Sequence, residues 1–314
     1  MLKNMVRKIT ALVTGGCGFI GSHIVDELVR RKYEVIVIDN LSTGHRANLN
    51  TKAKFYRRDV TKFSQIKKLF RGADFVFHAA ALARIQPSIK DPRKTFDVNV
   101  LGTFNVLLSA KDAGVKKVIY SASSSVYGDQ SGLPLKENMI SHPKNMYALS
   151  KLFGEDMCKV FSRLYGLNTV SLRYFNVYGP RQLHTGAYAT VIGVFLKQWA
   201  SGKPLTITGD GKIRRDFTHI SDVVCANLLA MRSAKACGGE IINIGSGKNY
   251  SINEVAATVL NSSKGLSVVY IPPRPAESKV TLADVSKARR LLSWKPRIDF
   301  KKGLEMTRRH YLGS

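Results

Sequence analysis

The chain has 314 residues, 44% hydrophobic and 23% charged, so it carries enough apolar side chain to bury a core, and disorder along its whole length is excluded. No window approaches the ~20 apolar residues that a bilayer span requires, which excludes membrane insertion by a helix. Lys and Arg outnumber Asp and Glu 49 to 22, a net charge of +27, but the cations are scattered in pairs such as Arg57-Arg58, Lys67-Lys68 and Arg308-Arg309 rather than interleaved with aromatics, so nucleic acid is not expected as a partner.

In chain order, short strand-like runs alternate with longer helical stretches. Residues 9–13, 35–38, 54–57, 75–78 and 118–121 are apolar or β-branched and bounded by Gly, Asp or Asn, while residues 20–31, 64–70, 92–113 and 145–164 repeat with helical spacing. This βαβ alternation predicts a doubly wound α/β fold around a parallel sheet, with residues 169–173 as a sixth strand. Past residue 173 the rhythm changes. Gly202-Lys203-Pro204 and Ile271-Pro272-Pro273-Arg274-Pro275 read as loops, and the remainder is expected to form a smaller α+β lobe. The expected division is 1–173 and 174–314, with some segments of the second part returning to the first. Cys17, Cys158, Cys225 and Cys237 are irregularly spaced with no CxxC pair, which suits neither a zinc site nor a disulfide framework and points to a reducing, cytoplasmic setting. No secretory h-region follows Lys3, Arg7 and Lys8, because the apolar run breaks at Gly15-Gly16.

The first strand runs into Thr14-Gly15-Gly16-Cys17-Gly18-Phe19-Ile20-Gly21 and then a helix. Glycines at 16, 18 and 21, or at 15, 18 and 21 in the offset form, permit a tight turn and let a pyrophosphate approach the free amides of a helix N-terminus. The second strand ends at Asp39, at the distance along the chain where an acid meets the adenosine ribose hydroxyls. Asn40 and Leu41 follow, and no adjacent Arg stands ready for a 2′-phosphate, so NAD is expected over NADP. Asp59-Val60, after the third strand, could edge the adenine, or Asp59 could cap the helix that follows.

Tyr147-Ala148-Leu149-Ser150-Lys151 places a phenol and an ammonium at i and i+4 on one helix face. A phenol with pKa ~10 is a poor base near neutrality, and nearby positive charge would bring it toward a useful range. Ser123 lies at the end of the fifth strand, in Ser121-Ala122-Ser123-Ser124-Ser125-Val126-Tyr127-Gly128, on the edge of the sheet where ligands bind.

Together these motifs resemble the extended short-chain dehydrogenase/reductase family, and within it the NAD-dependent nucleotide-sugar 4-epimerases, over nearly the whole chain. The resemblance implies that 1–173 is an NAD-binding Rossmann domain and 174–314 a UDP-sugar-binding lobe. It implies that Ser123 and Tyr147 share the substrate 4-hydroxyl and that Lys151 holds the nicotinamide ribose. Asn99, Tyr174 and the small-residue run His78-Ala79-Ala80-Ala81 are implied to lie along the cofactor. In the second half, Arg173-Tyr174-Phe175-Asn176-Val177-Tyr178-Gly179-Pro180-Arg181 resembles the segment entering the substrate lobe, with Asn176 touching the diphosphate or sugar. Gly209-Asp210-Gly211-Lys212-Ile213-Arg214-Arg215-Asp216-Phe217 resembles the diphosphate clamp, with Arg215 and Arg274 as its arginines, a role that suits bidentate guanidinium–phosphate pairing. Glu277 falls near the uridine ribose.

Relatives that eliminate water or CO2 carry an acid just before the Val-Tyr-Gly step. Here Ser124 and Ser125 stand there, so the implied chemistry stops at carbon 4: Tyr147 takes the 4-OH proton, bound NAD takes the hydride, and hydride returns to the other face of a 4-keto sugar. Thr281, small where enzymes restricted to UDP-glucose carry tyrosine, implies that UDP-GlcNAc/UDP-GalNAc is accepted, with UDP-glucose/UDP-galactose as a further pair. The segments Tyr178–Gln182 and Gly186-Ala187-Tyr188 point the same way. The resemblance also implies a homodimer through the helices over 92–113 and 145–164. The competing readings are a UDP-glucose-only 4-epimerase, another NAD-dependent nucleotide-sugar enzyme and, more remotely, a nucleic-acid-binding protein on a Rossmann scaffold.

Overall fold

Strand-forming residues that are apolar on both faces require cover on both sides, and the fold supplies it. The computed structural model describes residues 7–184, 186, 189–261 and 266–312, so Ala187 and Tyr188 lie outside the described residues. Its first six strands are β1 (Thr10–Thr14), β2 (Glu34–Asp39), β3 (Lys54–Arg57), β4 (Phe75–His78), β5 (Lys117–Ser123) and β6 (Thr169–Tyr174). Seven further strands follow among the described residues: β7 (Val177–Tyr178), β8 (Leu205–Thr208), β9 (Arg214–Asp216), β10 (Thr218–His219), β11 (Glu240–Ile244), β12 (Asn249–Ser251) and β13 (Val268–Ile271). The main sheet is parallel in the order β11-β6-β5-β4-β1-β2-β3. It is the expected doubly wound architecture, with one more strand than the six read from the sequence.

Alternate residues of β1 divide the core. Ala11 and Val13 face α1 (Phe19–Arg30), where Ile24, Val25 and Leu28 are fully buried. Leu12 faces the opposite layer, with Val106, Leu107 and Ala110 from a helix over Gly102–Asp112. The smaller lobe has its own core of Phe195, Leu196, Leu205, Ile207, Val255 and Phe300. Its strands form three short pairs, β7 with β10, β8 with β13 and β9 with β12.

The stretch 92–113, expected as one helix, is three segments: Pro92–Phe96, a π turn at Asp97–Leu101, and Gly102–Asp112. The wide turn holds Asn99 inward, where its amide donates to Leu82 O at 3.1 Å and Ser150 Oγ at 3.0 Å and its carbonyl oxygen accepts from Leu82 N at 2.8 Å. Insertions of this kind in helices collect at functional sites. The strand order reverses between β1 and β4, and the crevice beyond their carboxyl ends is where open α/β sheets bind ligands.

Candidate active site

The cradle begins at Gly15, whose φ of +71° carries the chain out of β1 while its N–H donates to Ile38 O at 2.8 Å. A Cβ there would stand 2.7 Å from Ala80 N, so the loop and the small-residue wall after β4 meet backbone to backbone. Gly18 donates to Gly15 O at 3.0 Å and sits at the N-cap of α1 with no side-chain cap. The first amides of a twelve-residue helix thus lie behind glycine rather than under a side chain, the arrangement that receives a phosphate group. Gly16 instead backs onto Val37 and Val25, so the offset spacing 15-18-21 is the one that faces the crevice. Asp39 accepts from Cys17 N at 2.9 Å and Leu41 N at 2.8 Å, which fixes a carboxylate at the mouth of the glycine loop.

A buried hydroxyl–imidazole chain holds the wall after β4. Thr103 Oγ1 donates to Asn99 O at 2.6 Å, so it accepts from His78 Nε2 at 2.9 Å, and His78 Nδ1 accepts from Thr14 Oγ1 at 2.7 Å. Burial pushes the His78 pKa down to about 3, which keeps the ring neutral, as this pattern requires.

A cavity of about 760 Å³ runs from this cradle to the second lobe. Gly15, Gly18, Phe19, Ile20, Gly21, Asp39, Asn40, Val60, Ala79, Ala80 and Tyr174 line its first part. Ser123, Ser124, Tyr147, Asn176, Arg215, Arg274, Glu277 and Thr281 line the rest. The Tyr174 hydroxyl donates to Asn227 Oδ1 at 3.0 Å. Three residues named from the sequence do not reach the cavity wall. Asn99 stands behind it, as described above. Asp59 neither caps a helix nor edges the cavity, because its carboxylate accepts from Thr61 N at 2.8 Å and from Asn40 Nδ2 at 3.0 Å; Lys62 is the residue at the helix N-cap. Lys151 sends its ammonium under the floor, donating to Ser121 O at 2.7 Å and lying 5.0 Å from the Tyr120 ring centre.

Tyr147 is in the first turn of the helix Met146–Tyr165, whose N-cap Asn145 accepts from Ala148 N. Burial raises the Tyr147 pKa, while a hydrogen bond with Ser123 and the charge of Arg84 lower it. Ser123 Oγ also accepts from Ser125 N at 3.2 Å and Ser125 Oγ at 2.9 Å. Burial pulls the Lys151 pKa down to about 8, with Glu155, one turn further along the helix, working in the opposite direction. Arg173 on β6 grips Glu155 in a bidentate pair, Nε to Oε1 at 2.8 Å and Nη2 to Oε2 at 2.7 Å, with both side chains buried.

In the second lobe, strand alternation in β9 turns Arg214 toward Asn249 and Glu254 and Arg215 toward the cavity, where it pairs with Glu277 at 3.4 Å. The Thr281 hydroxyl accepts from Asp216 N at 3.1 Å and from Asn176 Nδ2 at 3.2 Å, the latter a residue 105 positions away from Thr281 in sequence. Asp216, next to Arg215 in the same motif, is fully buried and accepts from Ser246, Gly247 and Ala283, so it ties the clamp strand to the loop after β11. Among the described lining residues the only carboxylates are Asp39 and Glu277, and neither stands beside Ser123 or Tyr147.

Residues 11–245 match the model of the NAD dependent epimerase/dehydratase family. A putative UDP-glucose 4-epimerase from Methanocaldococcus jannaschii is 40% identical over 298 residues, 94% of this chain and 95% of that one. Among solved structures, UDP-glucose 4-epimerase from Thermotoga maritima with UDP-glucose superposes with a TM-score of 0.94 at 36% identity, covering 97% of this chain and 99% of the other. UDP-N-acetylglucosamine 4-epimerase from Methanobrevibacter ruminantium, in complex with UDP-N-acetylmuramic acid, gives 0.92 at 36% identity, covering 98% and 99%.

Proposed function

The chain belongs to the NAD-dependent epimerase/dehydratase family, and we propose that within it the chain inverts carbon 4 of a UDP-hexose, interconverting UDP-GlcNAc and UDP-GalNAc and, as a second pair, UDP-glucose and UDP-galactose. The observation that carries this reading is a hydroxyl-and-phenol pair, Ser123 and Tyr147, with no carboxylate beside it among the described residues. Elimination from a neighbouring sugar carbon needs an acid–base group there, whereas proton exchange at a single hydroxyl does not.

NAD, when bound, supplies a reversible hydride acceptor. Gly15, Gly18 and Gly21 would hold its pyrophosphate, Asp39 and Asn40 its adenosine ribose, and Ala79 and Ala80 the length of the molecule, a fit supported by the α1 N-terminus left without a side-chain cap behind Gly18 and by the cavity these residues line. Tyr147 removes the proton of the 4-hydroxyl and returns it, and Ser123 holds that hydroxyl in line by hydrogen bonding. Arg215 and Arg274 pair with the diphosphate, anchoring the nucleotide while the hexose presents first one face and then the other. Thr281 leaves space for an acetamide at carbon 2, with its own hydroxyl held by Asn176 and Asp216 N.

A homodimer fits an apolar surface on two adjoining helical segments. Phe96, Leu101 and Phe104 are each 42% exposed, and Leu164 and Tyr165 are 62% and 54% exposed, a cluster that pairing with a second copy would cover. The four cysteines are unpaired, as a reducing cytoplasm would keep them, and among the described residues no helix is long and apolar enough to cross a membrane.

The test is incubation of the purified protein with UDP-GlcNAc and, separately, with UDP-glucose, adding no NAD and resolving products by NMR. UDP-GalNAc in the first tube supports the whole reading. UDP-galactose alone keeps the reaction and removes the substrate assignment. No product in either tube, with NAD then supplied, refutes the reading.

A further inference from the structure

The loop after β13 brings Arg274 and Glu277 to the cavity wall, and its backbone turns at Ala276 with a φ of +62°. Three successive carbonyls of that turn face the first domain, and each accepts from a side chain there: Pro275 O from Gln86 Nε2 at 3.1 Å, Ala276 O from Asn145 Nδ2 at 3.3 Å and Glu277 O from Lys144 Nζ at 3.3 Å. Asp129 adds a fourth tie, its carboxylate accepting from Lys279 N at 3.3 Å while it pairs with Lys144 at 2.6 Å. The donors are grouped around one place. Lys144 and Asn145 lead directly into the helix Met146–Tyr165, and Gln86 is on the short helix Ile85–Lys90, whose Ser88 Oγ accepts the Tyr147 backbone N–H at 3.1 Å.

Asn145 does two things with one side chain. Its Oδ1 accepts from Ala148 N at 2.9 Å and caps the helix that carries Tyr147, and its Nδ2 holds the loop. Ser, Thr or Asp would cap as well, because a cap needs only an acceptor oxygen; the amide donor is what asparagine adds. From this geometry we infer that Asn145 is a positioning residue, which joins the loop that holds the nucleotide to the helical turn that holds the phenol. The inference rests on the epimerase reading for the roles of that loop and of Tyr147. Its consequence is that the UDP group, which takes no part in the bond changes at carbon 4, bears on kcat as well as on affinity. Arg274 and Glu277 fix the loop on the nucleotide, the loop fixes Asn145, and Asn145 fixes the first turn, in which Tyr147 is the second residue. Interactions with a remote part of a substrate raise kcat when they orient the reacting groups. A loop that served only to grip UDP would need no hydrogen bond to the residue capping that helix.

The test uses the protein with its bound cofactor. Asn145→Asp keeps the cap and removes the donor, and Asn145→Ser does the same without adding a charge, so the thermal midpoint of both should stay close to native. A displacement of about 1 Å in the site costs on the order of 100-fold, so kcat on the UDP-hexose should fall at least about 10-fold in both variants. KM, and the Kd for UDP measured by calorimetry, should stay within about 3-fold of native. Hydrogen–deuterium exchange supplies a readout without turnover: saturating UDP should slow the amides in the first turn of the helix in the native protein and leave them unchanged in Asn145→Asp. A native kcat in the two variants overturns the inference and leaves Asn145 as a cap alone. A rise in KM or Kd at unchanged kcat overturns it too, since the loop would then serve affinity only, and so does protection by UDP that persists in Asn145→Asp. If UDP protects the native helix through Asn145 while no UDP-hexose is interconverted, the coupling stands and the epimerase reading falls; native protein that does not bind UDP overturns both.

Discussion

Replacing Glu155 by alanine strikes the ion pair that fixes the catalytic helix to the sheet. Arg173 and Glu155 are 3% and 0% exposed and share two hydrogen bonds of 2.8 and 2.7 Å. Removing one partner leaves a guanidinium stacked 4.6 Å from the Tyr127 ring centre with no carboxylate to meet it. Two charge-assisted hydrogen bonds at about 1.5–3 kcal/mol each give a loss of about 3–6 kcal/mol, and broken buried pairs cost about 3–5 kcal/mol. The two estimates agree on roughly 4 kcal/mol, a large share of the ~5–15 kcal/mol that holds a domain together. Desolvation offsets much of the pair's attraction, so the double change Glu155→Leu with Arg173→Met should fall within about 2 kcal/mol of the native protein. Urea unfolding followed by circular dichroism, at one pH and with NAD at one concentration, measures the native protein, Glu155→Leu, Arg173→Met and the double variant as one cycle, with Glu155→Ala beside them. A Glu155→Ala variant within 1 kcal/mol of native, on the scale of an exposed pair, would refute the reasoning, as would a double variant less stable than either single one.

Gly15→Ala forces a left-handed residue to carry a Cβ 2.7 Å from Ala80 N, costing about 1–3 kcal/mol; protein purified from cells should carry little NAD, measured as nucleotide released on denaturation, and a full complement would contradict the cradle. With Lys151 holding the nicotinamide ribose as an ammonium, the role the resemblance gives it, the alkaline limb of kcat should fall near pH 8, because burial holds the Lys151 pKa at about 8 and the charge is lost above it. Glu155→Gln removes the charge that favours the ammonium, so the limb should move to lower pH; a limb that stays in place, read from a pH–rate profile, would exclude the coupling. Thr281→Tyr should depress kcat/KM for UDP-GlcNAc at least about 10-fold relative to UDP-glucose, within the range that pocket shape alone commands, whereas equal losses on both substrates would show that the position does not select.

The sheet was legible because its strands are buried on both faces and therefore read as short unbroken apolar runs, as in Thr10–Thr14 and Phe75–His78. The π turn was not, since an extra residue in one turn leaves the apolar repeat around Asp97–Leu101 close to helical. Spacing placed Tyr147 and Lys151 on one helix face, but it carries no information about which way four methylenes bend, and the ammonium went to Ser121 O. Asp59 looked like a cap or an adenine contact by position, and the neighbouring Asn40 and Thr61 claimed its oxygens. Thr281 and Asn176, 105 residues apart, could be joined only by the fold.

The position of β11 bears on how the chain is made. Strand β6 is buried along its whole length, yet its outer neighbour β11 begins at Glu240, well after β6 ends at Tyr174. At ribosomal speeds of about 5–20 residues per second, β6 waits several seconds with an apolar, unpaired edge, the kind of surface that recruits strands from other chains. The sheet is completed only once the chain has been made as far as Ile244, so the nascent protein passes through an interval in which the open edge of β6 is exposed to pairing with other chains.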